Sequence, residues 1–334
     1  MPLATIKDVS ELAQVSQSTV SRVLTGHARV AAETKERVLK AIEQLDFQPN
    51  LSAQSLASKR TNSIGMLVGT LAGGYFSSLT SAAEETVRES NFHLIATSGR
   101  QSKSHEVDAI KFLKSKQVDG LIIHAGGLSD DDILEITKTT PATVLLNHYI
   151  PEIAANCIGL DDELGGYLAT KYLLDNGHTK IGCITGPLNQ NDCRDRLQGY
   201  RNALAEHGIR YNANLIVEGC FDLKNNHAAP RRLLNRNTQI TAIFCLNDHI
   251  ALGVYDVLQE RNISIGDDIS VIGFDNNIFS SLIAPKLTTV NFPVNEMGVE
   301  AAKKVLSLIG KTDYPMPQKL IPELIIRDSV KKIN

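Results

Sequence analysis

The chain has 334 residues, 43% of them hydrophobic and 21% charged. That is the balance of a globular protein with material for more than one core, and it lacks the ~18-residue apolar run that a membrane-spanning helix needs. The net charge of −3 does not suggest a nucleic-acid binder until it is divided: residues 1–60 carry +2 and the remainder −5, and between Gln14 and Ala32 the charged side chains are Arg22 and Arg29 alone. Positive charge therefore gathers where phosphates would be met.

Three short helices are predicted first. Thr5 is a good N-cap, Asp8 suits the positive end of the helix it opens, and Ile6, Val9, Leu12 and Ala13 share one face. Val15-Ser16 reads as a tight turn, with Ser16 capping a second helix. In that helix Val20, Val23 and Leu24 point inward while Gln17, Ser18, Ser21 and Arg22 share the outer face, and Gly26 ends it. A third helix over about Ala32–Leu45 buries Val38, Leu39, Ile42 and Leu45. Two helices joined by a short turn, the second presenting polar residues and an arginine early, form the arrangement that enters the DNA major groove. The same spacing also fits a plain helical bundle with a solvated face.

Pro49-Asn50 stops the third helix. Leu51–Ser58 follows, with Ala53, Leu56 and Ala57 along one side, and is too short to stay helical alone. It is either a helix that forms only against a partner or an ordinary linker.

From Thr61 onward apolar β-type runs alternate with amphipathic segments. The runs are 63–69, 93–99, 120–126, 142–147, 157–161, 180–186, 215–219, 242–247 and 270–275, and helices are expected near Ser78–Ser90, His105–Lys116, Glu163–Asn176 and His249–Arg261. Nearly continuous Ile/Leu/Val runs indicate buried parallel strands in βαβ units. Their number favours two doubly wound lobes, with a break near Asp161-Asp162, a crossing back around Leu287–Pro293, a helix from Pro293 to about Leu308, and last strands in KLIPELIIRDSV. The expected division is 1–49, 50–60 and 61–334, the first lobe being about 61–160 and 292–320 and the second about 161–291 and 321–334. Ligands of such sheets sit beyond the carboxyl ends of the strands. The residues there, Tyr75, Phe76, Asn147, Asp161, Arg196, Phe221, Asn247 and Asp275, are polar and aromatic, as suits a carbohydrate: donors and acceptors for hydroxyls and ring faces for C–H bonds.

Other chemistry finds little support. Cys157, Cys183, Cys193, Cys220 and Cys245 are odd in number with no CxxC pair, and HExxH, a P-loop and GxGxxG are all missing. No catalytic residue, metal or cofactor is expected. Asp161-Asp162 could be read as the paired carboxylates of a sugar enzyme, but no nucleophile and base accompany them. The start, MPLATIKDV, lacks the features of a secretory signal, so the expected location is the cytoplasm and the exported sugar-binding alternative is disfavoured.

The stretches TIKDVSELAQVSQSTVSRVL, RVAAETKERVLKAIEQLDFQPN and LSAQSLAS resemble the headpiece and hinge of the lactose/galactose repressor family. The resemblance continues through GYFSSLTSAAEE, GHTKIGCITGP, DRLQGYRNAL, AIFCLNDHIALGVYDVL, ISVIGFDNN and PKLTTVNFP. It implies an N-terminal helix-turn-helix headpiece and hinge helix before a two-lobed core like that of periplasmic binding proteins, and a homodimeric repressor that a small sugar releases from a palindromic operator. By resemblance Arg196 matches the arginine that clamps ligand hydroxyls, Asn247 and Asp275 the hydroxyl-binding pair, and Phe221 the stacking aromatic. Tyr75-Phe76 lies where the first lobe closes, and Gln190 and Asp192 come from a loop whose positions do not align securely. On DNA, Gln17, Ser18 and Arg22 are expected in the major groove and Ser16, Thr19 and Ser21 on phosphates, with Leu56 the minor-groove wedge. Thr5, Arg29, Asn50 and Ala53 complete the DNA-facing set. Ser52 is polar where some relatives are aliphatic, which would weaken hinge pairing. Galactose or a β-glucoside or β-galactoside is the favoured effector.

Overall fold

A computed structural model describes residues 4–24, 30–47, 60–100, 102–221, 226–236, 239–310 and 312–333. It separates into two compact units, 1–61 and 62–334.

The first unit is three helices around a small core. Helix α1 (Ile6–Leu12) opens with a capping box: the Thr5 hydroxyl accepts from the Asp8 backbone N–H while the Thr5 N–H donates to the Asp8 carboxylate at 2.8 Å. Helix α2 (Gln17–Leu24) follows a turn in which Ser16 Oγ accepts from the Thr19 N–H at 3.2 Å, and α3 is Ala32–Gln44. Val9, Ala13, Val20, Val23, Val38, Ala41 and Phe47 form the core. Two expected core residues are solvent-facing instead: Leu12 is 48% and Leu39 49% exposed. The inward stripe of α3 runs through Val38, Ala41, Ile42 and Leu45, and Leu39 lies about 100° away from Val38 on the helix wheel. Arg29 and the hinge positions Asn50, Ala53 and Leu56 fall outside the described residues.

The second unit holds two six-stranded sheets. The first has the order β11-β5-β4-β3-β1-β2 and the second β12-β10-β9-β8-β6-β7. In the first sheet are β1 (Ser63–Val68), β2 (His93–Ser98), β3 (Gly120–Ile123), β4 (Thr143–Leu146), β5 (Cys157–Leu160) and the returning β11 (Lys319–Leu320). In the second are β6 (Ile181–Thr185), β7 (Ile216–Glu218), β8 (Ala242–Cys245), β9 (Ser270–Asp275), β10 (Thr288–Asn291) and β12 (Glu323–Ile325). All pairings are parallel except β10 with β12. Parallel order follows from the crossover helices: α4 (Gly74–Glu89), α5 (Lys103–Ser115) and α6 (Asp130–Thr139) in the first lobe; α7 (Asp162–Asp175), α8 (Asn191–Glu206), α9 (Ala228–Asn235) and α10 (Asp248–Glu260) in the second. Helix α11 (Val294–Gly310) carries the chain back against α4. Strands buried on both faces explain the continuous apolar runs; β1, β3, β4, β6 and β8 are buried almost throughout.

One close helix crossing shapes the site. Helices α7 and α8 touch backbone to backbone, since a methyl group on Gly166 would lie 2.0 Å from the Arg196 carbonyl oxygen and one on Gly199 2.0 Å from that of Glu163. Larger residues would force the helices apart and part the two side chains that meet at their amino ends.

Candidate functional site

Those side chains are Asp162, in the first turn of α7, and Arg196 in α8. Arg196 is 4% exposed and donates from Nε to Asp162 Oδ1 at 2.8 Å and from Nη1 to the Leu246 carbonyl oxygen at 2.7 Å. Asp275 Oδ1 lies 3.5 Å from Nη1, and the guanidinium carbon stands 3.7 Å from the centre of the Phe274 ring. The charge is thus fixed in position by a carboxylate, a carbonyl and an aromatic face. Burial alone would favour loss of the guanidinium proton, but Asp162, Asp275 and Asp192 outweigh it and hold the group charged.

The carboxylates feel burial more than they feel Arg196. Asp162 is pushed up to about 6 and Asp275 to about 8, burial prevailing over the attraction of the guanidinium in each. Asn247 joins the group by donating from Nδ2 to Asp275 Oδ2 at 3.2 Å, while its Oδ1 caps α10 by accepting from the Ile250 N–H at 2.9 Å. Asp275 holds a φ of +105°, a conformation costly for a residue with a Cβ and characteristic of functional sites. The loop after it is pinned by buried Asp248, which accepts from the Asn277 N–H at 2.7 Å, Ser280 Oγ at 2.7 Å and Thr289 Oγ1 at 2.6 Å.

Opposite this cluster the first lobe presents Tyr75, Phe76, His124 and Asn147. Asn147 Nδ2 donates to the Tyr75 hydroxyl at 2.8 Å and lies 3.5 Å from His124 Nε2. Tyr75 packs edge-on against Phe76, His124 and Phe292, with ring centroids 4.9, 5.9 and 5.2 Å apart. Its phenol is pushed far above its ordinary value by burial and by the nearby negative charge of Asp275, so it remains a neutral donor. Burial also depresses His124, which stays neutral. Two buried polar atoms here have no protein partner among the described residues: His124 Nδ1 and Asn147 Oδ1. Groups left unpaired inside a protein cost about 1–3 kcal/mol each unless something else satisfies them. A ligand rich in hydroxyls would.

The remaining expectations divide. Asp161, expected to face a ligand, caps α7 by accepting from the Leu164 N–H at 3.3 Å and pairs with Lys319 at 3.4 Å. Asp162, the first helical residue after that cap, takes the buried place. Gln190 and Asp192 sit at the amino end of α8, where Asp192 Oδ1 accepts from the Cys193 N–H at 2.8 Å. The ring of Phe221 lies against Gly186 at the end of β6. His124 and Phe292 are not among the residues expected from the sequence, and Asp162 is expected there only as half of the Asp161-Asp162 pair, not as a ligand-facing residue. His124 follows the apolar run 120–123 as Asn147 follows 143–146, so the strand-end rule would have found it.

In the first unit Ser16, Gln17, Ser18, Ser21 and Arg22 are exposed around α2 while Val20 and Val23 are buried. Ser16 Oγ also lies 2.7 Å from Ser18 Oγ and 2.9 Å from Thr19 Oγ1. Thr5 is engaged in its cap, both donating to and accepting from Asp8.

Residues 5–50 match the family described as bacterial regulatory proteins, lacI family, and residues 170–330 a periplasmic binding protein-like domain. The HTH-type transcriptional regulator GalR of Escherichia coli K12 is 36% identical over 98% of this chain and 96% of its own length. The HTH-type transcriptional repressor PurR of Vibrio vulnificus is 36% identical over 99% and 100%. Among solved structures, the lac repressor dimer bound to operator and the anti-inducer ONPF superposes with a TM-score of 0.89 at 29% identity, covering 98% of this chain and 99% of that one. The similarity runs over nearly the whole length, and the chain belongs to the LacI family of bacterial regulatory proteins.

Proposed function

We propose that this protein is a transcriptional repressor that reads a palindromic operator as a homodimer and is released by a small uncharged sugar. The observation that carries this is the pairing, on one chain, of an exposed polar α2 face with a cleft cluster built on buried Arg196. In the headpiece Arg22 is the guanine reader, Gln17 and Ser18 reach base edges, and Ser16, Thr19 and Ser21 orient the helix on phosphates. Thr5, Arg29, Asn50, Ala53 and Leu56 are assigned to DNA on the family resemblance. A two-fold dimer matches a pseudo-palindrome.

In the core, Arg196, Asp275 and Asn247 take vicinal hydroxyls from one side, and Tyr75, His124 and Asn147 take them from the other. Phe76 and Phe221 cover C–H faces, with Gln190 and Asp192 at the rim. Arg196 stands beside Asp162, Asp192 and Asp275, and even with Asp275 holding its proton below about pH 8 the other two offset the guanidinium charge, which disfavours a phosphorylated effector and favours a neutral polyol. Among the solved structures similar to this chain is a transcriptional regulator, CelR, in complex with cellobiose. Sugar and operator binding are reciprocally linked, so the sugar that weakens operator binding is held less tightly by the operator complex. The site of action is the cytoplasm, where the DNA is, and the protein carries out no catalysis. An exported sugar-binding protein would share the core but has no use for residues 5–50.

A thermal-shift screen of sugars tests this, because a ligand at 100 times its Kd adds about 2.7 kcal/mol. Arg196→Ala is expected to abolish the shift and keep operator binding, and Arg22→Ala to do the reverse. A screen in which operator binding and sugar binding fail together in both variants would contradict the assignment.

A further inference from the structure

Asp275 does not hold its place alone. It and Asn276 are successive residues with positive φ, +105° and +55°, where the chain leaves β9. Positive φ is uncommon for a residue with a Cβ, and at a functional site it persists only where the surroundings over-determine it. Here they do so through Asn276. Its N–H donates to Thr289 Oγ1 at 3.4 Å, its Nδ2 donates to Asn291 Oδ1 at 3.0 Å, and its Oδ1 accepts from Arg327 Nη2 at 2.6 Å. Both ends of the amide are engaged, and neither Asn291 nor Arg327 belongs to the group around Arg196.

Arg327 is anchored before it reaches Asn276. Its N–H donates to Thr288 Oγ1 at 3.0 Å and its Nη1 to the Leu287 carbonyl oxygen at 2.7 Å, so one prong of the fork grips the start of β10 and the other is left for Asn276. A planar guanidinium serves two acceptors at once in a fixed geometry, which a point-like ammonium does not. The two residues that hold the amide come from segments that cross between the sheets. Asn291 ends β10 just before the chain passes to α11, and Arg327 follows β12, which the chain enters from β11 of the other sheet.

The Asp275 side chain, meanwhile, is spent in the cleft beside Arg196 and Asn247. We propose that Arg327 is a positioning residue for effector binding. Held on β10, it fixes Asn276, and Asn276 fixes the left-handed backbone from which the Asp275 carboxyl meets Arg196, Asn247 and a ligand hydroxyl. Arg327 acts through Asn276 and makes no contact with the ligand itself. This rests on the carbohydrate reading above and adds to it a residue that sets how tightly the sugar is held without touching it.

Isothermal titration of the full chain with D-galactose, methyl β-glucopyranoside and methyl β-galactopyranoside, together with thermal melting, tests it. Asn276→Gly is the cleaner variant, because glycine takes a φ of +55° without strain and only the amide clamp is lost. For each of these sugars that binds the wild type, Asn276→Gly and Arg327→Met should each weaken binding about tenfold, with operator affinity in the absence of sugar kept within about twofold. The double variant should bind no more weakly than the poorer single one, since the two residues act in series. Sugar affinity unchanged in Asn276→Gly, losses that multiply in the double variant, or a lowered melting temperature with sugar affinity intact would each overturn the positioning role and leave the carbohydrate reading standing. Failure of all three sugars to bind the wild type would overturn both.

Discussion

Asp275→Asn exchanges a carboxylate for an amide of the same shape at the centre of the cleft. The folded carboxyl is pushed up to about 8 by burial, while an unfolded aspartate ionises near its ordinary 3.8. Between these values the folded chain holds a proton that the unfolded chain has released. Its stabilising contribution is therefore complete below the unfolded value and lost as pH rises towards 8, at about 1.4 kcal/mol per pH unit for one proton. Asp162 and Asp248, each pushed up to about 6, act in the same direction but mainly below pH 6, while His124, His178 and His249, depressed by burial, act in the opposite direction. Both sets are shared by wild type and variant, so the difference between the two profiles from pH 6 to 8 reports Asp275. The side chain is 17% exposed, so solvent relieves part of the cost, and at most about 3 kcal/mol should separate the two profiles across that window. Urea unfolding of the core from pH 5.5 to 8.5, followed by far-ultraviolet circular dichroism, measures this. The variant is expected to lose less stability than the wild type between pH 6 and 8, and to lose sugar binding. A variant whose profile runs parallel to the wild type over that window would refute the placement at Asp275 of a carboxyl whose burial outweighs the support of Arg196 and Asn247.

Other outcomes follow from the same geometry. Gly166→Ala places a methyl 2.0 Å from the Arg196 carbonyl oxygen, and the resulting overpacking should cost about 1–3 kcal/mol and weaken sugar binding by moving Arg196 from Asp162; unchanged melting and affinity would contradict the crossing. Val20→Ala, in the fully buried centre of the headpiece core, should destabilise that unit by about 2 kcal/mol and depress operator affinity, with sugar titrations of the core unaffected. His124→Leu leaves the Asn147 amide and the Tyr75 hydroxyl without a third polar neighbour and should reduce sugar affinity about tenfold, or about 1.4 kcal/mol, read by titration calorimetry. Operator affinity should fall steeply as salt rises, and Arg22→Ala should reduce discrimination between operator and random DNA more than it changes that slope.

Much of this was legible in the sequence because it depends on local periodicity. Val20 and Val23 set the phase of α2 and hence the exposure of Gln17, Ser18, Ser21 and Arg22. Apolar runs ending in Asn147, Asn247 and Asp275 marked the strand ends, and with them the cleft. What escaped depends on contacts between distant segments. Asp162 meets Arg196 only because Gly166 and Gly199 let two helices cross at backbone contact, and a pair of adjacent aspartates does not reveal which one turns inward. Leu39 looked like core because it is apolar, but Ala41 holds the inward position and a helix of 13 residues has room for one buried stripe. Phe292 reaches Tyr75 from the segment that crosses back between the lobes, a contact between residues more than two hundred positions apart.

The central claim is that one chain couples carbohydrate in the cleft to DNA on α2. Fluorescence anisotropy of a labelled palindromic duplex, titrated with the full chain with and without the sugar found in the thermal screen, tests it directly. The expected result is preferential binding over random duplex, reversed by the sugar in the wild type and insensitive to it in Arg196→Ala. Equal affinity for palindromic and random DNA, unchanged by any sugar, would contradict the account.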